Sequence, residues 1–106
     1  MDLLEKKTFY NNLYDFYKDL LTTKQRDYFQ KYYFDDLSLS EIAEHYHISR
    51  NAIYDQLQKV YLSLEKYEEK LGLLDRYQKR QQLYEEYIKF NHATVIELIE
   101  KLKDLE

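Results

Sequence analysis

Apolar side chains recur along most of this chain at the spacing of one helical face. In "FYNNLYDFYKDLL" they fall at Tyr10, Leu13, Tyr14, Tyr17, Leu20 and Leu21, at offsets of 0, 3, 4, 7, 10 and 11, which predicts an amphipathic helix. Thr22 with Gln25 is a T-x-x-Q capping box that should open a second helix, "KQRDYFQKYYF", burying some of Tyr28, Phe29, Tyr32 and Tyr33. Asp35-Asp36 marks a short connection. Ser38 and Glu41 then form an S-x-x-E capping box ahead of Ile42, Ala43 and Tyr46.

The stretch "SLSEIAEHYHISRNAIYDQL", Ser38 to Leu57, has the layout of a helix-turn-helix. Ala43 is small enough for another helix to cross closely there. His47-Ile48-Ser49 forms the turn, with Ile48 expected in the core and Ser49 capping the next helix. In that helix Ile53, Leu57, Val60, Tyr61 and Leu64 recur at 0, 4, 7, 8 and 11. Nothing breaks it before Gly72, so it should run for about 22 residues, or ~33 Å. Gly72, followed by Leu73, reads as a left-handed C-cap.

Two more helical segments follow. "LLDRYQKRQQLYEEYIKF" carries Leu73, Tyr77, Tyr84 and Ile88 in heptad-like steps, and "HATVIELIEKLKDLE" carries Val95, Leu98, Leu102 and Leu105 at spacings of 3, 4 and 3. The second row is a seam suited to a partner helix, which either another copy of the chain or the preceding domain would satisfy. Self-association into a homodimer through Val95, Leu98, Leu102 and Leu105 is therefore an expectation. The organisation that results is residues 1–72 as a helix-turn-helix domain with an N-terminal helix (helix-turn-helix at 38–66) and 73–106 as a C-terminal helical arm.

Composition agrees with an all-α chain: among 106 residues there is one glycine and no proline, so the turn formers that strands require are missing. Thirteen tyrosines predict an aromatic core that keeps its hydroxyls near water. The absence of cysteine excludes disulfides, thiolate metal sites and thiol nucleophiles. No apolar run reaches the length of a membrane span and "MDLLEKKTFYNN" has no signal-peptide core, which points to a cytoplasmic protein. His45 and His47 straddle a helix end and His92 stands apart, so no metal site is expected. No nucleophile–base, paired-acid or phosphate-loop arrangement appears, and neither an enzyme nor a cofactor is expected.

Net charge is −4, an unusual balance for a nucleic-acid-binding domain, whose affinity ordinarily comes from Lys and Arg against phosphates. The acid excess is spread evenly. Residues 1–21 hold three basic groups against four acidic, 22–66 six against seven, and 67–106 seven against nine.

The segment "LYDFYKDLLTTKQRDYFQKYYFDDLSLSEIAEHYHISRNAIYDQLQKVYLSLEKYEEKLGLL", Leu13 to Leu74, resembles the YlxM family of Gram-positive bacteria. "LTTKQRDYF", "DDLSLSEIA" and "AIYDQL" carry the likeness. The resemblance implies a fold similar to region 4 of sigma factors, a helical bundle presenting a helix-turn-helix, here with a C-terminal helical extension. It also implies a role in the signal recognition particle pathway, a link resting on gene neighbourhood with the particle's GTPase subunit.

In a helix-turn-helix the start of the second helix enters the major groove. That layout places Arg50, Asn51, Tyr54, Asp55 and Gln58 outward. Arg50 suits guanine or phosphate, and Asn51 or Gln58 suits adenine. Ser40, Ser49, Lys24, Arg26, Lys59 and Thr22 are candidate phosphate contacts. Asp55, Glu41 and Glu44 oppose this, because a carboxylate repels phosphate unless it accepts from cytosine N4. Three uses of the face remain: duplex DNA reading, RNA or protein contact (including the particle's GTPase or RNA), and a scaffold that reads no DNA.

Overall fold

The computed structural model describes all residues from Met1 to Glu106. Six helices follow one another: α1 (Leu3–Tyr17), α2 (Thr23–Tyr33), α3 (Leu39–Tyr46), α4 (Arg50–Leu71), α5 (Leu73–Ile88) and α6 (Ala93–Asp104), with one 3₁₀ turn at Lys18–Leu20. There is no strand. The chain divides into two compact units, Met1–Gly72 and Leu73–Glu106.

Helix starts follow the caps encoded in the sequence. Thr22 Oγ1 accepts from the Gln25 N–H at 3.1 Å while the Gln25 side chain accepts from the Thr22 N–H at 2.9 Å. Ser38 and Glu41 make the same reciprocal pair at 3.1 and 3.2 Å. Each pair satisfies two backbone donors that the first helical turn leaves open. α4 runs unbroken for 22 residues and ends on Gly72, whose φ of 62° and ψ of 27° lie in the left-handed region.

In the first unit, α4 is the element on which α1, α2 and α3 all pack. Its inward row is fully formed, with Ile53, Leu57, Val60, Tyr61 and Leu64 all buried. Much of the remaining core is stacked rings. Phe29 lies between Tyr14 and Tyr33, at centroid distances of 4.2 and 4.1 Å and interplanar angles of 8° and 4°. Tyr10 stacks on Tyr61 at 4.3 Å, and Tyr28 meets Tyr46 edge-on. The hydroxyls find partners at the core's edge. Tyr10 donates to Glu65 at 2.7 Å, Tyr17 donates to Glu68, Tyr33 donates to the Tyr61 oxygen at 3.0 Å, and Tyr14 accepts from the Gln30 amide at 2.8 Å.

This arrangement carries a pH dependence. Burial, reinforced by the hydrogen bond to Glu65 and its negative charge, pushes the Tyr10 phenol up to about 12. Burial likewise raises Tyr33 and Tyr61. An unfolded tyrosine ionises near pH ~10, so the folded state resists ionisation more than the unfolded one. Stability from these groups is fully present below that pH and is lost as pH rises from about 10 through the raised folded values. Denaturant unfolding followed by circular dichroism should give a constant midpoint up to mildly alkaline pH and a falling midpoint above it.

Several sequence expectations about orientation are corrected. Leu20 lies in the 3₁₀ turn, where the α-helical spacing no longer holds, and is 53% exposed, while Leu21 is buried. Ile48 is 39% exposed because the chain reverses at His47 before reaching it. In the second unit Leu73, Tyr77 and Ile88 stay partly exposed, and Tyr84 is the buried member of that row. On α6, Ile99 is buried, while Leu98, Leu102 and Leu105 of the row expected to meet a partner helix are exposed within the single chain.

Candidate nucleic-acid interface

The helix-turn-helix is assembled by local chemistry at three points. α3 is only eight residues long, and it is capped by Ser38 and held by Ile42 and Ala43, both buried. The turn comes next: His47 adopts φ 58° and ψ 40°, and its N–H reaches the carbonyls of Ala43 and Glu44. The Ile48 N–H also bonds the Ala43 carbonyl at 3.1 Å. Last, Ser49 is extended, and its hydroxyl accepts from the Ala52 N–H at 3.0 Å, starting α4.

His47 occupies a backbone region that costs an L-residue with a Cβ about 1–2 kcal/mol and glycine almost nothing. His47→Gly should therefore stabilise the first unit, by about 0.5–1 kcal/mol after the added chain entropy of glycine is subtracted. A rise in the urea midpoint at unchanged slope would register it; a lower midpoint would show that the imidazole makes a favourable contact.

With Ile53 and Leu57 facing inward, the first two turns of α4 present a polar arc. Arg50, Asn51, Tyr54 and Asp55 are exposed there, Tyr54 at 49%. At 100° per residue, Asn51 and Asp55 lie farthest from the buried row, with Arg50 and Tyr54 on one flank and Lys59 on the other. Asp55 thus sits between Asn51 and the exposed Lys59. Ser40 is exposed in the first turn of α3, beside Glu41 and ahead of Glu44, which are also exposed.

The remaining expected residues are placed differently. Gln58 is half-buried and borders a cleft of about 110 Å³ together with Tyr54, Tyr32, Leu39 and Lys6. Lys24 is exposed on α2. The Arg26 guanidinium is engaged locally, 3.7 Å from the Asp19 carboxylate and 3.5 Å from the Lys18 carbonyl. Lys6 was not singled out from the sequence. It comes from α1, with its ammonium 5.6 Å from the Tyr61 ring centroid, and the neighbouring Lys7 lies 5.1 Å from that of Tyr32. Only the packing of α1 along α4 brings Lys6 to the cleft with Tyr54 and Gln58, so no local motif could have shown it.

The second unit is a helical hairpin. Glu106 accepts from Arg80 at 2.9 Å, Gln81 at 3.2 Å and Tyr84 at 2.7 Å, tying the end of the α6 segment to α5. Between the helices lies an apolar groove of about 290 Å³, lined by Val95, Leu98 and Leu102 with Leu83 and Tyr87 over Tyr84 and Ile99. Leu105 is 83% exposed and lies outside the groove lining. No helix of the protein is long and apolar enough to cross a membrane.

Comparison with known proteins agrees with this architecture. The model of the UPF0122 family, described as "Putative helix-turn-helix protein, YlxM / p13 like", matches residues 4–105. The chain is 48% identical over 107 residues to the UPF0122 protein GK1195 of Geobacillus kaustophilus, covering 98% of this chain and 97% of that one. It is 49% identical over 109 residues to a UPF0122 protein of Bacillus anthracis, covering 94% and 99%. The family is one of helix-turn-helix proteins. With the family model covering almost the whole chain and relatives at nearly half identity, this chain belongs to the UPF0122 family of YlxM/p13-like helix-turn-helix proteins.

Proposed function

We propose that this chain is a regulatory or accessory protein of the signal recognition particle pathway whose helix-turn-helix engages nucleic acid, with duplex DNA the ligand its layout fits. It acts by binding and carries out no catalysis. The observation that carries the binding reading is the polar arc on the first two turns of α4. Arg50, Asn51, Tyr54 and Gln58 follow an exposed turn capped on both sides, so the helix start is fixed by its own caps while its outer face stays open. Arg and Asn at such positions suit the edges of guanine and adenine. Ser40, Ser49, Lys24 and Lys59 would supply phosphate contacts. The pathway assignment rests on kinship with the YlxM proteins.

A second reading is favoured by the charge around that face. Asp55, Glu41 and Glu44 are exposed beside it, and they suit a basic protein surface better than a phosphate backbone. On this reading the chain is a scaffold that holds the particle's GTPase or RNA without reading DNA sequence. Isolation of the full chain from cells, with both co-purifying proteins and nucleic acids identified, separates the two. Particle components retained by Arg50→Ala would support the scaffold reading. DNA fragments lost with the same substitution would support the reader. Recovery of neither would remove the pathway assignment.

A further inference from the structure

We infer that the groove bounded by α1, α2 and α4 binds single-stranded nucleic acid, holding an unpaired base against Tyr54 and Tyr32 while Lys6 and Lys7 meet the flanking phosphates. The inference rests on the nucleic-acid reading above and adds to the duplex face at Arg50 and Asn51 a second site with its own ligand. Three hollows of the first unit adjoin one another there, of about 110, 50 and 190 Å³. The first is the cleft beside Gln58. It shares Lys6, Tyr32 and Tyr61 with the second, which in turn shares Lys7 and Tyr33 with the third.

Charge and ring chemistry select the occupant. The chain holds 20 acidic against 16 basic side chains, yet no carboxylate lines any of these hollows, and two lysines do. The Lys6 ammonium lies 5.6 Å from the Tyr61 ring centroid, and that of Lys7 lies 5.1 and 6.0 Å from those of Tyr32 and Tyr33. Cations interleaved with aromatic rings are the combination that tracks a single strand, the cations taking phosphates and the rings taking base faces. Tyr54 leaves about half its surface, 49%, open to water at one end of the groove. The neighbouring Gln58 amide can both donate to and accept from a base edge. A base inside a duplex has both faces covered by its neighbours, so only an unpaired one can lie against these rings. An acidic peptide would satisfy the lysines but supplies no regular alternation of flat ring and negative charge.

Fluorescence anisotropy of the full chain with labelled oligouridine, and with the same oligouridine annealed to oligoadenosine, provides the test. Oligouridine should bind at low salt and more tightly than the annealed form, whereas attachment by charge alone would favour the duplex, with its higher charge density. Lys6→Gln combined with Lys7→Gln should lower the single-strand salt slope by about 1.4, two phosphates at ~0.7 each. Tyr54→Leu should weaken binding about ten-fold, the loss of one stacked base, with slope and helicity unchanged. Titration with duplex DNA reports separately on the α4 face. Duplex DNA binding without oligouridine binding would overturn this inference and leave that face standing; oligouridine binding without duplex DNA binding would support the groove and remove the duplex reader. Tighter binding of the annealed form, a slope that the lysine substitutions leave unchanged, or polyglutamate bound as tightly as oligouridine would also overturn it.

Discussion

Phe29→Ala is expected to destabilise the first unit by about 3–5 kcal/mol, a large share of what a domain of this size possesses. Phe29 is completely buried, with Tyr14 stacked on one face and Tyr33 on the other, and Phe34 approaches it edge-on. Removing the middle ring leaves a gap that neither outer ring can fill. Tyr14 is held by the Gln30 amide and Tyr33 by its hydrogen bond to Tyr61. Collapse into the cavity would break those bonds, so the site pays the transfer loss and the cavity term together. Phe34→Ala, at a ring 52% exposed, should cost far less. Urea unfolding followed by circular dichroism would rank the two; equal losses would mean that the stacked rings are not the anchor between α1 and α2.

The second large effect concerns binding. Arg50→Ala should weaken association with duplex by about 1–3 kcal/mol if the guanidinium reads a guanine, or lower the salt slope by about one if it meets a phosphate. Asp55→Asn should act in the opposite direction. Its carboxylate stands centrally on the same arc, near phosphates wherever it is not accepting from cytosine, so neutralising it should tighten binding. Filter binding or fluorescence anisotropy at several salt concentrations checks both. The same sign of change for the two substitutions would place the contact surface elsewhere.

How far the sequence revealed this molecule depends on the range of the interactions involved. The caps at Thr22, Ser38 and Ser49 were legible because each is made by residues three apart, whatever surrounds them. The full extent of α4 was legible for a related reason: no breaker intervenes before Gly72. Which residue of an apolar arc faces inward is a tertiary matter. On α6 the arc is broad, containing Val95, Ile96, Leu98, Ile99 and Leu102, and its packing on α5 selected Ile99 where a heptad reading selects its neighbours. Ile48 shows the same limit, since its exposure depends on the left-handed geometry of His47. At the candidate interface, Arg50, Asn51, Tyr54 and Asp55 followed from helical phase. Lys6 and Tyr32 beside Gln58 did not, because they come from α1 and α2 and meet α4 only after folding.

The central claim is that the start of α4 is a nucleic-acid contact surface despite the acidic balance of the chain. Its most direct test is titration of the full chain against a pool of short DNA duplexes from low to physiological salt. The account predicts measurable binding at low salt, a logarithmic affinity that falls linearly as salt rises, and weaker binding by Arg50→Ala. A flat titration at low salt, or binding that Arg50→Ala leaves untouched, would contradict it.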